Sequence, residues 1–214
     1  MPLLKTPLNL LHIDEHIIVA IKPAGLLAVP GRGADKQDCL SASLAIEFGD
    51  IHVVHRLDQA TSGVMVFARN LAALRTLHAQ FREGTVDKAY EAIVFGKPEQ
   101  ASFAIDLPLA ADWPNRPRQK VDVENGKPST THADVLGFDA ATNTSRVRLV
   151  PITGRTHQLR VHMMAVGHPI LGDPLYGLQA TPDKASRLML QAKFLAFTHP
   201  VTNERMPFDS ILEF

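Results

Sequence analysis

Cysteine is nearly absent from this chain: Cys39 is the only one. A single thiol excludes an internal disulfide and fits a reducing compartment, so a cytoplasmic protein is expected. No apolar run approaches the roughly 18 residues that a membrane-spanning helix needs. The N-terminus, Met1-Pro2-Leu3-Leu4-Lys5-Thr6-Pro7, has one lysine and two prolines and does not read as a secretory signal. Neither sign of charge is in excess, with 22 Lys and Arg against 22 Asp and Glu. Bulk charge alone therefore cannot hold the protein to nucleic acid. No internal repeat or low-complexity segment is present. Metal spacing is lacking too: His157 and His162 lie off one helical face and lack the His-Glu-x-x-His pattern. Ser62 lacks the Gly-x-Ser-x-Gly elbow of a serine hydrolase. Gly31-Arg32-Gly33 is too short for a dinucleotide or phosphate-binding fingerprint.

What is present is enough apolar residue, 45% of 214, to bury a core as one large domain or two small lobes. Strand signals run over residues 10–21 around an Asp14-Glu15 turn, and over 64–68, 89–96, 130–138 and 146–150. Helical spacing covers 40–48 with Asp38 as N-cap, 71–83 with Asn70 as cap and Gly84 as stop, and 156–166 ending at Gly167. Residues 188–198 are apolar and fit either state. Many strands, few helices and no regular βαβ alternation predict an α+β fold, with a large mixed, mainly antiparallel sheet flanked by helices and loops. Cations gather between Arg116 and Arg160, so a basic surface on a neutral protein is one expectation and a solvated mixed-charge face the other.

Four segments carry chemistry. His55-Arg56-Leu57-Asp58-Gln59-Ala60-Thr61-Ser62-Gly63 places a carboxylate just before the apolar run Val64–Ala68. By itself Asp58 could be a turn cap, with Thr61, Ser62 and Gly63 as turn residues. Lys88-Ala89-Tyr90 puts a tyrosine on a strand, where a core aromatic is the ordinary reading. Gly154-Arg155-Thr156-His157-Gln158-Leu159-Arg160 opens a helix, with His157 and Arg160 three apart on one face. Asp112-Trp113-Pro114-Asn115-Arg116-Pro117-Arg118-Gln119-Lys120 sets the only tryptophan among cations and prolines. Such a loop suits RNA backbone and base stacking, or equally an anchored crossover.

The first string matches, at its specified positions, the His-Arg-Leu-Asp-x-x-Thr-Ser-Gly motif of the RluA-type pseudouridine synthases, and the other segments resemble that family too. The resemblance spans Ile13 to about Pro207. It implies the pseudouridine synthase fold and a single catalytic domain over residues 1–214, without the N-terminal S4 RNA-binding domain that many relatives carry. It implies Asp58, Tyr90 and Arg160 as catalytic, with Tyr90 stacking on the base and Arg160 pairing with the aspartate. It implies RNA contacts from Arg56, His55, Arg155, His157, Trp113, Arg116, Arg118 and Lys120, and an apolar pocket floor near Ile170, in the string His168–Asp173. The expected substrates are the anticodon stem-loop of tRNA and a hairpin of 23S ribosomal RNA, acted on by a monomer.

Isomerising uridine to pseudouridine breaks N1–C1′ and rejoins the base through C5, with no net redox change, so no cofactor or metal is expected. One carboxylate serves as nucleophile or assists glycal formation. Three other readings stand beside this one. A nucleosidase or glycosidase cutting the same bond usually needs a second carboxylate or an activated water, and no second acid stands beside Asp58. A non-catalytic RNA-binding or ribosome-assembly factor would keep the fold without needing Asp58. A synthase acting on only one of the two RNAs is the third.

Overall fold

The computed structural model describes residues 7–33, 36–177 and 185–214. The chain divides into two compact units, Met1–Lys88 with Ala192–Glu213, and Ala89–Gln191 with Phe214. Strands β5 (Asp87–Phe95) and β11 (Leu190–Thr198) each contribute residues to both. The α+β expectation holds: three α-helices accompany twelve strands among the described residues.

In the first unit β1 (Asn9–Ile13) and β2 (Ile17–Lys22) form the antiparallel hairpin expected around Asp14. The Asp14 carboxylate closes the turn by accepting from the amides of His16 and Ile17 at 2.7 and 2.8 Å. β2 pairs antiparallel with β4 (Ser62–Ala68), and both strands are buried throughout. That is why each reads as a continuous apolar run rather than an alternation. β3 (His52–Val53) pairs with β4, and β11 pairs antiparallel with β12 (Arg205–Asp209). The core joins Ile17, Val19 and Ile21 to Val64, Val66, Leu77, Leu195 and Phe197. Each such side chain contributes about 1.5–3 kcal/mol on burial.

Helix α2 (Leu71–Glu83) follows its expected signals. Asn70 Oδ1 accepts from Ala73 N at 2.9 Å, and Gly84 takes the left-handed conformation with φ 73°. Helix α1 (Leu40–Phe48) departs from expectation: its N-cap is Cys39, not Asp38, and no side chain caps it. The loop before it supplies the acceptors instead, Leu27 O to Leu40 N at 2.9 Å and Ala28 O to Ser41 N at 3.2 Å.

In the second unit the β5 residues 90–95 pair with β10 (Thr144–Pro151), β10 with β9 (Thr130–Asp139), and β9 with β6 (Ser102–Asp106), all antiparallel. β7 (Leu109–Ala111) and β8 (Gln119–Val121) form a separate hairpin. Helix α3 (Gln158–Ala165) packs Val161 against Leu109 and Tyr176. The apolar segment 188–198 resolves as strand β11. Strands β6, β7, β8 and β12 have no sequence signal above the turn background, because three to five residues with exposed polar positions carry too little period.

Ser62 and Gly63 open strand β4 rather than ending a turn. Gly63 has φ 119°, and a Cβ there would meet Ala192 O of β11 at 2.2 Å. Glycine is required both for the torsion and for the approach of the neighbouring backbone. Gly63→Ala is expected to destabilise the protein by about 2–5 kcal/mol, combining torsional strain and overpacking. Urea unfolding measures this, and a loss below about 1 kcal/mol contradicts the close packing.

Candidate active site

The first motif forms the loop from Val54 to Thr61, which leads directly into β4. Leu57 is buried and anchors it, Arg56 is exposed, and Asp58 is half-buried. Thr61 N donates to Asp58 O at 3.1 Å, tightening the turn on which the carboxylate sits. His55 does not reach outward. Its Nε2 accepts from Val66 N at 3.1 Å, and its ring stacks on Phe81 with centroids 4.8 Å apart. His55 thus braces the loop onto β4 and α2, a role that leaves Nε2 committed to the backbone. Burial, and secondarily the Lys88 ammonium, hold its imidazole at about 3, so the ring is neutral. Burial also lowers Lys88 itself.

A second brace is a lysine that carries no motif signal from its charge alone. Lys22, fully buried at the end of β2, donates from Nζ to Pro23 O, Leu26 O and Gln59 O at 2.8, 2.7 and 3.0 Å. Gly25 N donates to Gln59 O at 2.9 Å, and Gln59 Nε2 donates to Gly25 O at 3.0 Å. The residue next to Asp58 is therefore tied to the Lys22–Leu26 loop by three bonds. A buried ammonium surrounded by carbonyls has its charge stabilised by their dipoles.

In the second unit Tyr90 lies half-buried on β5, opposite Leu149 of β10. Ile170 is buried and bridges to Val94. Arg160 is buried on α3. Its Nε and Nη2 donate to Oδ2 and Oδ1 of Asp173, each at 2.7 Å. The Tyr176 ring lies beside this pair, 5.1 Å from Arg160 Cζ and 5.5 Å from Arg118 Cζ. Its hydroxyl accepts from Gln119 N at 2.7 Å and bonds His157 Nδ1 at 2.7 Å. Tyr176 thus joins three of the expected RNA-contacting or catalytic positions, Arg118, His157 and Arg160.

His157 and Arg160 do not share a helical face. His157 is the N-cap of α3, in the left-handed conformation with φ 55°, and the helix begins at Gln158. Gln158 explains the late start: its Oε1 accepts from Thr153 Oγ1 at 2.7 Å and Arg155 N at 3.0 Å, while Nε2 donates to Thr130 O at 2.9 Å. Arg155 is exposed and donates to Pro128 O at 3.2 Å. His162 commits both ring nitrogens, to Thr131 Oγ1 and Leu107 O at 3.0 Å each. Among the described residues no cluster of His, Cys, Asp or Glu is suited to hold a metal ion.

The cation-rich loop joins β7 to β8. Trp113 begins a single 3₁₀ turn and is 66% exposed, and the Arg116 guanidinium stacks on it at 3.5 Å. Lys120 pairs with Asp122 at 3.2 Å. A flat exposed ring carrying a stacked cation suits a nucleobase and its phosphate.

Sequence reasoning passed over Lys22, Gln158 and Tyr176, and saw Asp173 only as part of an apolar string. An Asp before Pro174 was a usable signal for the turn, because Asp173 Oδ1 accepts from the amides of Leu175 and Tyr176. Nothing local marks it as the partner of an arginine 13 residues earlier.

The neutral His55 has a consequence for pH. An unfolded histidine titrates near 6.5 and this one near 3, so it favours the folded state fully above pH 6.5. That advantage is lost as the pH falls from about 6.5 toward 3. His55→Gln, which keeps an acceptor for Val66 N, is expected to flatten the fall in unfolding free energy between pH 6.5 and 4. An unchanged slope in denaturant titrations contradicts the brace.

The geometry can be set beside known proteins. A family model described as RNA pseudouridylate synthase matches residues 16–165. The chain is 49% identical over 207 residues to the dual-specificity RNA pseudouridine synthase RluA of Escherichia coli (strain K12), covering 97% of this chain and 94% of that protein. It is 50% identical to the Yersinia pestis protein of the same name over 204 residues, covering 95% and 98%. Its fold is similar to human RNA pseudouridylate synthase domain containing 1, with TM-score 0.80, 30% identity and coverage of 96% of this chain and 83% of that one. Human RNA pseudouridylate synthase domain containing 4 matches with TM-score 0.76 and 28% identity, covering 95% and 88%. With its motif loop, its buried arginine and a family match over most of its length, the chain belongs to the RNA pseudouridylate synthase family.

Proposed function

We propose that this enzyme isomerises one uridine in the tRNA anticodon stem-loop and one in a 23S ribosomal RNA hairpin, acting as a monomer in the cytoplasm. The observation that carries the reading is the motif loop itself: Asp58 stands on a turn pinned by Lys22, His55 and Gly25, directly before a buried strand. The named relatives, dual-specificity enzymes about half identical over nearly full length, support the choice of RNAs.

Asp58, Tyr90 and Arg160 are assigned the chemistry. The N1–C1′ bond breaks, the uracil turns, and a C5–C1′ bond forms while the C5 hydrogen is lost and N1 gains a proton. The Asp58 carboxylate serves each available route, as nucleophile at C1′ or at C6, or as the base that takes the C2′ proton. Tyr90 offers a flat ring to the base and a phenol near it. Arg160 supplies a permanent positive charge for the carboxylate. The uridine must leave its stack, at a cost of a few kcal/mol that is smaller in a hairpin loop. Arg56, exposed beside Asp58, is assigned to the vacated place or to the flipped backbone. Trp113, Arg116, Arg118 and Lys120 form the outer contact, with Arg155 and His157 at the start of α3 and Ile170 beneath the base.

Incubating the protein with both transcripts and mapping pseudouridine tests this. Modification of one uridine in each RNA is expected, and modification of only one RNA contradicts dual specificity. Release of free uracil points to hydrolysis instead. Arg56→Ala is expected to slow single-turnover conversion about 10–100-fold with thermal stability unchanged, and an unchanged rate contradicts its role.

A further inference from the structure

We infer that Asp173 is a positioning residue for Arg160, setting the orientation in which its guanidinium meets the reaction. The inference rests on the assignment of Arg160 to the chemistry. The Asp173 carboxylate holds one edge of the fork, Nε and Nη2, with two bonds of 2.7 Å. The side chains are 3% and 1% exposed, so neither charge is shared with solvent. The carboxylate cannot rotate freely, because Oδ1 also accepts from Leu175 N at 2.9 Å and Tyr176 N at 3.1 Å. The guanidinium is planar, so fixing one edge fixes the direction of the other, Nη1.

Tyr176 adds a third constraint. Its ring flanks the guanidinium, and its hydroxyl is held by Gln119 N and His157 Nδ1. The same ring sits beside Arg118, on the hairpin assigned to RNA. Arg160 is therefore held from below by a carboxylate and from the side by a phenol, in a position that needs no rearrangement when substrate arrives. A donor prepared in this way stabilises developing charge better than one that must reorient. The sequence expectation had Arg160 as a partner of Asp58 alone. The structure supplies a different carboxylate, Asp173, whose two bonds use the Nε–Nη2 edge of the fork.

The test is a double-mutant cycle on single-turnover rate, with RNA affinity and urea unfolding measured in parallel. Asp173→Asn keeps an acceptor for the two amides but loses the charge and one of the two guanidinium bonds. It is expected to lower the rate about 100-fold while RNA affinity stays within about threefold. Arg160→Met is expected to lose at least as much. The double variant is expected to fall no more than about threefold below the worse single variant, because Asp173 acts through Arg160. Losses that multiply overturn the inference, and so does Asp173→Asn at the parental rate. Arg160→Met at the parental rate overturns the assignment of Arg160 itself, and the inference with it. Where Asp173→Asn does not fold, Asp173→Glu keeps the charge but shifts the fork by one methylene. It is expected to lose at least about tenfold in rate, and a parental rate overturns the inference.

Discussion

One buried ammonium sets the shape of the loop to which the chemistry is assigned. Lys22 Nζ reaches three carbonyls from two stretches of chain, its own neighbours Pro23 and Leu26 and, 37 residues on from the lysine, Gln59. Each such bond to a charged donor contributes about 1.5–3 kcal/mol, and removing the donor would take this partner from Pro23 O and Leu26 O and leave Gln59 O only Gly25 N. Asp58 is the residue before Gln59, so its backbone inherits that rigidity. Gly63 allows β11 to approach β4, and His55 ties the other end of the loop to Val66. The backbone that carries this carboxylate is thereby fixed on both sides. A catalytic group that must hold one geometry through bond breaking, base rotation and bond formation benefits from a fixed support.

The second unit solves a related problem with a different device. A guanidinium cannot be buried alone, and Asp173 compensates it with two short bonds. Such a pair adds little net stability over an apolar replacement, since desolvation offsets most of the attraction. Its value lies in orientation. Around it, Gln158 accepts from Arg155 N at the entry of α3 and donates to Thr130 O, His162 bonds Leu107 O, and Tyr176 links that entry to the exposed hairpin carrying Trp113 and Arg116. The outer hairpin is exposed, with Arg116 stacked on Trp113, whereas the inner arginine is closed to solvent.

The parts legible from sequence were those with local causes. The Asn70 cap, the Gly84 stop, the Asp14 turn and the buried run of β4 each depend on residues within a few positions, and each was foreseen. The motif loop was legible as a string, which placed Asp58 before a core strand. The misreadings share a cause. Asp38 lost the cap of α1 to the carbonyls of Leu27 and Ala28, and His157 was turned out of the helix by the bonds of Gln158. Ser62 and Gly63 read as a turn because the strand that requires the glycine lies 129 residues later, at Ala192. The bond from Val66 N to His55, 11 residues apart, has no local signal either. Asp173 holds Arg160, and Lys22 holds Gln59, across separations that no spacing rule joins. Tertiary neighbours decided each of these, and a single sequence does not display them.

The central claim is that one carboxylate, Asp58, on a rigid loop, carries out the isomerisation. Rejoining the base through C5 expels the C5 hydrogen, so RNA labelled with tritium at uridine C5 reports the reaction directly. Single-turnover tritium release by Asp58→Asn, which keeps the size of the side chain, is the decisive measurement. The account predicts no release above background, with RNA binding and urea unfolding near those of the parent. Release at a rate comparable to the parent contradicts it.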